Sequence, residues 1–264
     1  MKIAIIGAGN LGVSIAKGII DNNLYTTFYL TKRQASTIKS WEDFPKVYTT
    51  NSNEEAVKNA DILILSVQPN HLKKVLEEIK PFLHDKHQII STATGFKIHQ
   101  IESILGTEHS IIRAMPNTAI AVSKSMTCLC ANSKGLKRIP VAEALFGLLG
   151  KTVVIDEALM QAATVLCSSG IAFWMRMIRA TTQGGIQMGF DAEIALEMSV
   201  HTCLGAASLL VNTESHPERE IDKVTTPKGC TISGLNEMEF QGLSSSLIKG
   251  LLKSYEKINE IAQS

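Results

Sequence analysis

The sequence predicts an α/β chain in two parts, a parallel sheet covered by helices on both faces and then an almost purely helical segment. Three observations predict it. Short apolar runs alternate with helix-like stretches through the first half. The first run stops at "IAIIGAGNLG", residues 3–12, where glycines stand at 7, 9 and 12. From about Asp156 onward the strand pattern disappears.

Composition bounds the function. The 264 residues are 45% hydrophobic and 19% charged, a globular balance for one large or two small domains. A net charge of +1 and 5% aromatics point to neither nucleic acid nor an anionic membrane as partner. Cys128, Cys130, Cys167, Cys203 and Cys230 have no CxxC spacing, so free thiols are expected. The seven histidines form no HxxxH pair, and no metal is expected. No uninterrupted apolar run approaches the ~20 residues that span a bilayer. The chain opens in a strand pattern rather than a basic and then apolar leader, so a cytoplasmic location is expected.

Strands are expected at Ile3–Ile6, Phe28–Leu30, Ile62–Leu65, Ile89–Ile90, Ser110–Arg113 and Thr127–Cys130. Helices are expected at Gly12–Asn22, Glu54–Asn59, Asn70–Lys80 and His99–Leu105. Runs such as "DILILSV" suit strands shielded on both faces. The junction is expected near 155–160, dividing the chain into 1–157 and 158–264. In the second part Asp191–Val211 reads as one long helix with Asp191 as N-cap. Its apolar and small residues, from Ala195 to Val211, surround it, so burial in a core or by a second subunit is expected.

The opening motif has a defined chemistry. Gly7 allows a tight turn, Gly9 lets backbone approach a pyrophosphate, and Gly12 lets helix pack on strand. The phosphates would sit on the helix N-terminus, where free N–H groups and the dipole favour anions. A glycine-rich turn without ligand is the bland alternative. About 20 residues on, an NAD-selective site carries an acid. Here stand Thr31, Lys32 and Arg33, which suit the 2′-phosphate of NADPH; an exposed basic turn is the alternative. "SVQP" (Ser66, Val67, Gln68, Pro69) and "TAT" (Thr92, Ala93, Thr94) end two strands on the edge where such sheets bind ligands, and Asn117 ends a third. In "TTPKGCT", residues 225–231, Pro227 and Gly229 make a turn and a helix can start at Thr231. The N–H groups of Gly229, Cys230 and Thr231 can hold a carboxylate there. The Thr231 hydroxyl can hydrogen-bond a substrate nitrogen, or simply cap the helix.

These blocks resemble pyrroline-5-carboxylate reductases. The resemblance runs end to end through "GAGNLG", "SVQPN", "STATG", "RAMPNT", "LCSSGIAF", "MGFDAEIALEMSVHTCLGAASLLV", "HPEREIDKVTTPKGCTISGL" and "MEFQG". It implies a Rossmann-like dinucleotide-binding domain followed by an all-α dimerisation domain, with a homodimer or larger ring built by the C-terminal helices. It implies NADPH as cofactor, with NADH possible, and a small cyclic imine carboxylate as substrate. It places Gly7, Ala8, Gly9, Asn10, Leu11 and Gly12 at the cofactor, Asn53 near the adenosine ribose, and Glu157 near the substrate. Asn53 can equally cap the helix that follows it. Lys223 stands where relatives have a substrate-contacting asparagine, and Thr231 gains its substrate role. The chain departs from the family at Gln68, Ala119, "SSGI" (168–171), Lys228 and Leu243-Ser244. A reductase of another cyclic imine, and an inactive dinucleotide-binding relative, stay open at this point.

Overall fold

The computed structural model describes residues 1–263, and side chains for residues 1–260. Two compact units divide it: Met1–Ser168 with the chain end from Tyr255, and Ser169–Ser254. The division falls after Ser168, beyond the expected 157/158 junction.

In the first unit the elements run β1 (Lys2–Ile6), α1 (Asn10–Asp21), β2 (Thr27–Thr31), β3 (Val47–Thr50), α2 (Asn53–Lys58), β4 (Ile62–Leu65), α3 (Pro69–Ile79), β5 (Gln88–Ser91), α4 (Ile98–Leu105), β6 (Ser110–Met115), β7 (Ser125–Ala131), α5 (Ile139–Gly147) and β8 (Gly150–Val154). They form one eight-stranded sheet in the order β3-β2-β1-β4-β5-β6-β7-β8. Alternate residues of β1, β2 and β4 to β7 feed two cores. Ile3, Ile5, Ile62 and Ile64 pack with α1 and α5, while Ala4, Ile6, Leu63 and Leu65 pack with α2, α3 and α4. The apolar runs are continuous because both faces are covered.

Three expectations change. The sheet is not wholly parallel, for β7 runs antiparallel to β6. The chain reverses there through a short 3-10 turn, Thr118–Val122, with Ser123 in the left-handed region. Strands β3 and β8 were not expected. Both lie at sheet edges and alternate with exposed residues, Tyr48 in one and Val153 in the other, so neither reads as a buried run. The helix at the motif begins at Asn10 rather than Gly12.

After a short α6 (Met160–Ala163) and a π-helical stretch (Thr164–Ser169) come α7 (Gly170–Gln187), α8 (Ala192–Thr213), α9 (Pro217–Lys223), α10 (Cys230–Phe240) and α11 (Leu243–Gln263). Helices α7 and α8 pack together, Gly185 against Ala195. Asp191 holds the N-cap position of α8 without a side-chain cap bond. Of α8 only Ala195 and Ser199 are buried in the chain itself, so the helix is not enclosed by its own unit. Residues 157–187 and Ala192–Thr213 are long and apolar enough, by length and composition alone, to cross a membrane.

Candidate dinucleotide and substrate site

The glycine turn follows from its contacts. Gly7 has φ 100°, and a Cβ there would come within 2.6 Å of Val67 Cγ1 and 2.7 Å of the Ser66 carbonyl oxygen. A Cβ on Gly12 would overlap the Gly7 carbonyl oxygen and lie 3.2 Å from Ile5 Cγ2, so only glycine lets α1 pack this close to β1. Gly9 differs: a Cβ would meet nothing within 4 Å, so no protein contact calls for glycine there. Gly9 is also the N-cap of α1, with no side-chain cap and no acid in the first turn. The first bond is Val13 N–H to the Gly9 carbonyl, 2.8 Å. The N–H groups of Asn10, Leu11 and Gly12 precede it and stay free for an anion, where the helix dipole also favours negative charge. Ala8 is buried and its N–H donates to the Thr31 carbonyl.

Thr31 is engaged within the protein. It is 3% exposed, its hydroxyl accepts from Gly7 N–H (3.3 Å) and donates to Asn53 Oδ1 (2.8 Å), so it braces the glycine turn from beneath. Lys32 and Arg33 remain as cations, and among the described residues neither forms an ion pair. Asn53 does not cap α2. Ser52 does, its hydroxyl accepting from Glu55 N–H at 3.1 Å, and Asn53 is the first helical residue. Its Nδ2 donates to Glu78 Oε1 at 3.1 Å.

Beside the α1 N-terminus lies a cavity of about 420 Å³, lined among others by Asn10, Leu11, Thr92, Thr94, Met115 and Asn117. Several expected polar groups are already spent on the protein. The Thr92 hydroxyl donates to the Leu65 carbonyl, and Asn117 Nδ2 donates to the Cys167 carbonyl while its Oδ1 accepts from Ala119 N–H. Thr94 has only the Met115 sulfur, at 3.9 Å. Ala93 is buried in the core. Gln68 and Pro69 are exposed at the start of α3, and Val67 is half-buried against Gly7. Ser66 Oγ is buried with no hydrogen-bond partner among the described residues. The open space at Gly9 and the free N–H groups of α1 fit a dinucleotide's pyrophosphate. A wider groove of about 610 Å³ between α3 and α4 holds none of the motif residues.

Glu157 meets a cation that the sequence reading missed. Arg113 Nη1 donates to Glu157 Oε1 at 2.8 Å, and Ile98 N–H at the start of α4 donates to the same oxygen at 2.7 Å. The Arg113 side chain is 5% exposed, so Glu157 neutralises a buried guanidinium rather than offering a free negative charge. The signal was present: a lone arginine inside the apolar run "SIIRAM" is buried only if paired.

In the second unit the turn 225–231 has Lys228 at φ 61° and Gly229 at the N-cap of α10. A Cβ on Gly229 would overlap the Thr226 hydroxyl. The helix starts at Cys230, so Thr231 is neither its first residue nor its cap. No side chain caps α10, which leaves the Cys230 and Thr231 N–H groups at an uncompensated N-terminus. Thr231 is half-buried and Cys230 exposed. Lys223 is paired with Glu220 at 2.7 Å, three residues away on α9, which draws the Glu220 carboxyl below its ordinary value.

The same unit leaves Trp174, Met175, Met188, Leu204, Leu209 and Val211 exposed, a large apolar surface for a protein in water. The five cysteines are free thiols. Among the described residues no group of His, Cys, Asp or Glu side chains could hold a metal ion.

Comparison with known proteins identifies the family. Residues 157–261 match the profile described as pyrroline-5-carboxylate reductase dimerisation, and residues 2–95 match that described as NADP oxidoreductase, coenzyme F420-dependent. The chain is 42% identical over 273 residues to pyrroline-5-carboxylate reductase 2 of Dictyostelium discoideum, covering 97% of this chain and 91% of that protein. It is 43% identical over 269 residues to pyrroline-5-carboxylate reductase 1 of the same organism, where it spans about half (49%) of the relative's length. A solved pyrroline-5-carboxylate reductase from Coxiella burnetii superposes with a TM-score of 0.93 at 30% identity, covering 98% of this chain and 97% of that one. The chain belongs to the pyrroline-5-carboxylate reductase family.

Proposed function

We propose that this protein reduces 1-pyrroline-5-carboxylate to L-proline with NADPH, by hydride transfer to the C=N bond. The observation that carries the reading is the α1 N-terminus, with open space at Gly9 and the cavity beside it, in a chain that matches its relatives along its length. When bound, the reduced nicotinamide supplies the hydride. The protein's work is binding and alignment. Asn10, Leu11 and Gly12 hold the pyrophosphate by their N–H groups, and Lys32 and Arg33 attract the 2′-phosphate. Ser66, Thr94 and the walls of the cavity orient the ring. The turn at Gly229, Cys230 and Thr231 holds the substrate carboxylate, and the Thr231 hydroxyl positions the imine nitrogen. A threonine hydroxyl is a poor acid, so the proton on nitrogen comes from solvent. Glu157 takes part as a positioning residue through Arg113, and Lys223 borders the turn.

On this reading the working parts are a dinucleotide domain at 1–157 and a dimerisation and substrate domain at 158–264, close to the start of the dimerisation match at residue 157. The exposed apolar faces of α7 and α8 are covered by a second copy rather than by lipid, giving a cytoplasmic homodimer or larger ring. The test is NADPH oxidation followed with pyrroline-5-carboxylate beside its six-membered homologue. Faster turnover of the five-membered imine is expected. The reverse order favours a sibling imine reductase, a reading that Lys228 at the substrate turn would then explain. No turnover of either is the outcome of an inactive relative.

A further inference from the structure

A carboxylate reaches the adenosine end of the dinucleotide seat from an element outside the motif. Gly7 N–H donates to Thr31 Oγ1 at 3.3 Å, the Thr31 hydroxyl donates to Asn53 Oδ1 at 2.8 Å, and Asn53 Nδ2 donates to Glu78 Oε1 at 3.1 Å. Every donor in this relay points the same way, toward Glu78. The carboxylate fixes which end of the Asn53 amide faces Thr31 and so the direction of the Thr31 hydroxyl, the Gly7 N–H being a donor in any case, and each bond polarises the next. Glu78 lies on α3, is exposed, and has no cation partner among the described residues. The end of β2, where an acid selects a ribose 2′-hydroxyl, instead carries Thr31, Lys32 and Arg33. The corner thus combines cations from the β2 end with one acid from α3.

We propose that Glu78 is a positioning and specificity-determining residue at this corner. It orients Asn53 and Thr31 beneath the glycine turn, and its charge holds down the preference for a 2′-phosphate, so that NADH is also accepted. The inference rests on the dinucleotide reading above. The physical reason is additive. On that reading a 2′-phosphate, with close to two negative charges, sits by Lys32 and Arg33, which follow Thr31 in the chain, and the Thr31 hydroxyl is two hydrogen bonds from the Glu78 carboxylate. Like charges at that separation, in or near water, repel modestly and in a salt-dependent way.

The experiment measures dissociation constants for NADPH and NADH, by fluorescence titration without substrate, for the wild type, Glu78→Gln, Glu78→Ala and Glu77→Gln. Glutamine keeps an acceptor for Asn53 and removes the charge. With Glu78→Gln, NADPH should tighten about three- to tenfold and NADH change by less than about twofold, the gain shrinking at high salt. With Glu78→Ala, the relay loses its last acceptor and NADH should weaken too. Glu77→Gln removes an exposed charge from the same helix without touching the relay and should leave the ratio unchanged. An unchanged NADPH-to-NADH ratio in Glu78→Gln overturns the proposal, as does an equal shift in Glu77→Gln. Equal loss of both cofactors in Glu78→Gln also overturns it, for then Glu78 only braces the loop. If the wild type binds neither cofactor, the dinucleotide reading itself fails, a distinguishable result.

Discussion

Glu157→Ala isolates the work of the Arg113–Glu157 pair. In the native chain Glu157 Oε1 accepts from both Arg113 Nη1 and Ile98 N–H. Alanine removes both acceptor bonds and strands a guanidinium whose side chain is 5% exposed. Breaking one side of a buried pair costs about 3–5 kcal/mol. Glu157 is itself 29% exposed, so water partly screens the pair and the lower end, about 3 kcal/mol, is expected. For a chain of this size each kcal/mol lowers the melting temperature by about 2–4 °C, so the fall should be about 6–12 °C. Glu157→Gln keeps an acceptor oxygen for both donors and removes only the charge, for a cost of about 1–2 kcal/mol. Thermal unfolding by circular dichroism reads both variants, with steady-state kinetics measured well below the transition. The folded fraction of Glu157→Gln should turn over at close to the wild-type kcat. A large loss of kcat in Glu157→Gln at an unchanged melting temperature would refute the reasoning, because the charge would then act on the imine and not on Arg113.

Thr231→Ala should lower turnover by roughly 5- to 150-fold, one hydrogen bond of about 1–3 kcal/mol to a changing charge, while the NADPH dissociation constant hardly moves. Thr231→Ser should recover most of it; because Gly229 and not Thr231 holds the cap position, equal melting temperatures are expected, and a loss explained wholly by unfolding counts against the assignment. Ala206→Asp, on the exposed part of α8, should break the dimer, since a buried unpaired charge costs several kcal/mol; sedimentation velocity showing an intact dimer would remove α8 from the interface. Burial holds the His87 imidazole below its ordinary value, so the folded state disfavours the proton that the unfolded chain accepts. This contribution is complete well above about pH 6.5 and is lost as pH falls from there through the depressed folded value, so stability should drop as pH falls below about 6.5, and less in His87→Gln.

Much of the sheet was legible because its information is local. A strand buried on both faces is apolar along its covered stretch, as are all of β4, Ile3–Ile6 of β1 and Ile89–Ile90 of β5. The glycine turn was legible for the same reason: Gly7 and Gly12 meet two separate steric demands within six residues of chain. The edge strands β3 and β8 were not, since a half-exposed strand of four or five residues has no pattern distinct from a loop. Nor was the direction of β7, which is decided by how the 118–122 turn reverses the chain and not by its own composition.

The site divides along the same line. Sequence by itself determined the family and the glycine turn, because close backbone approach leaves a mark in glycine spacing. Tertiary structure alone decided which polar groups remain free. Thr31 is consumed by Gly7 and Asn53, Asn117 by Cys167 and Ala119, and Glu157 by Arg113, 44 residues earlier in the chain. Glu78 reaches Asn53 across 25 residues. A hydrogen-bonding side chain looks the same in sequence whether it faces a ligand or a buried donor. Only packing, which forces every buried polar group to find a partner, tells the two apart.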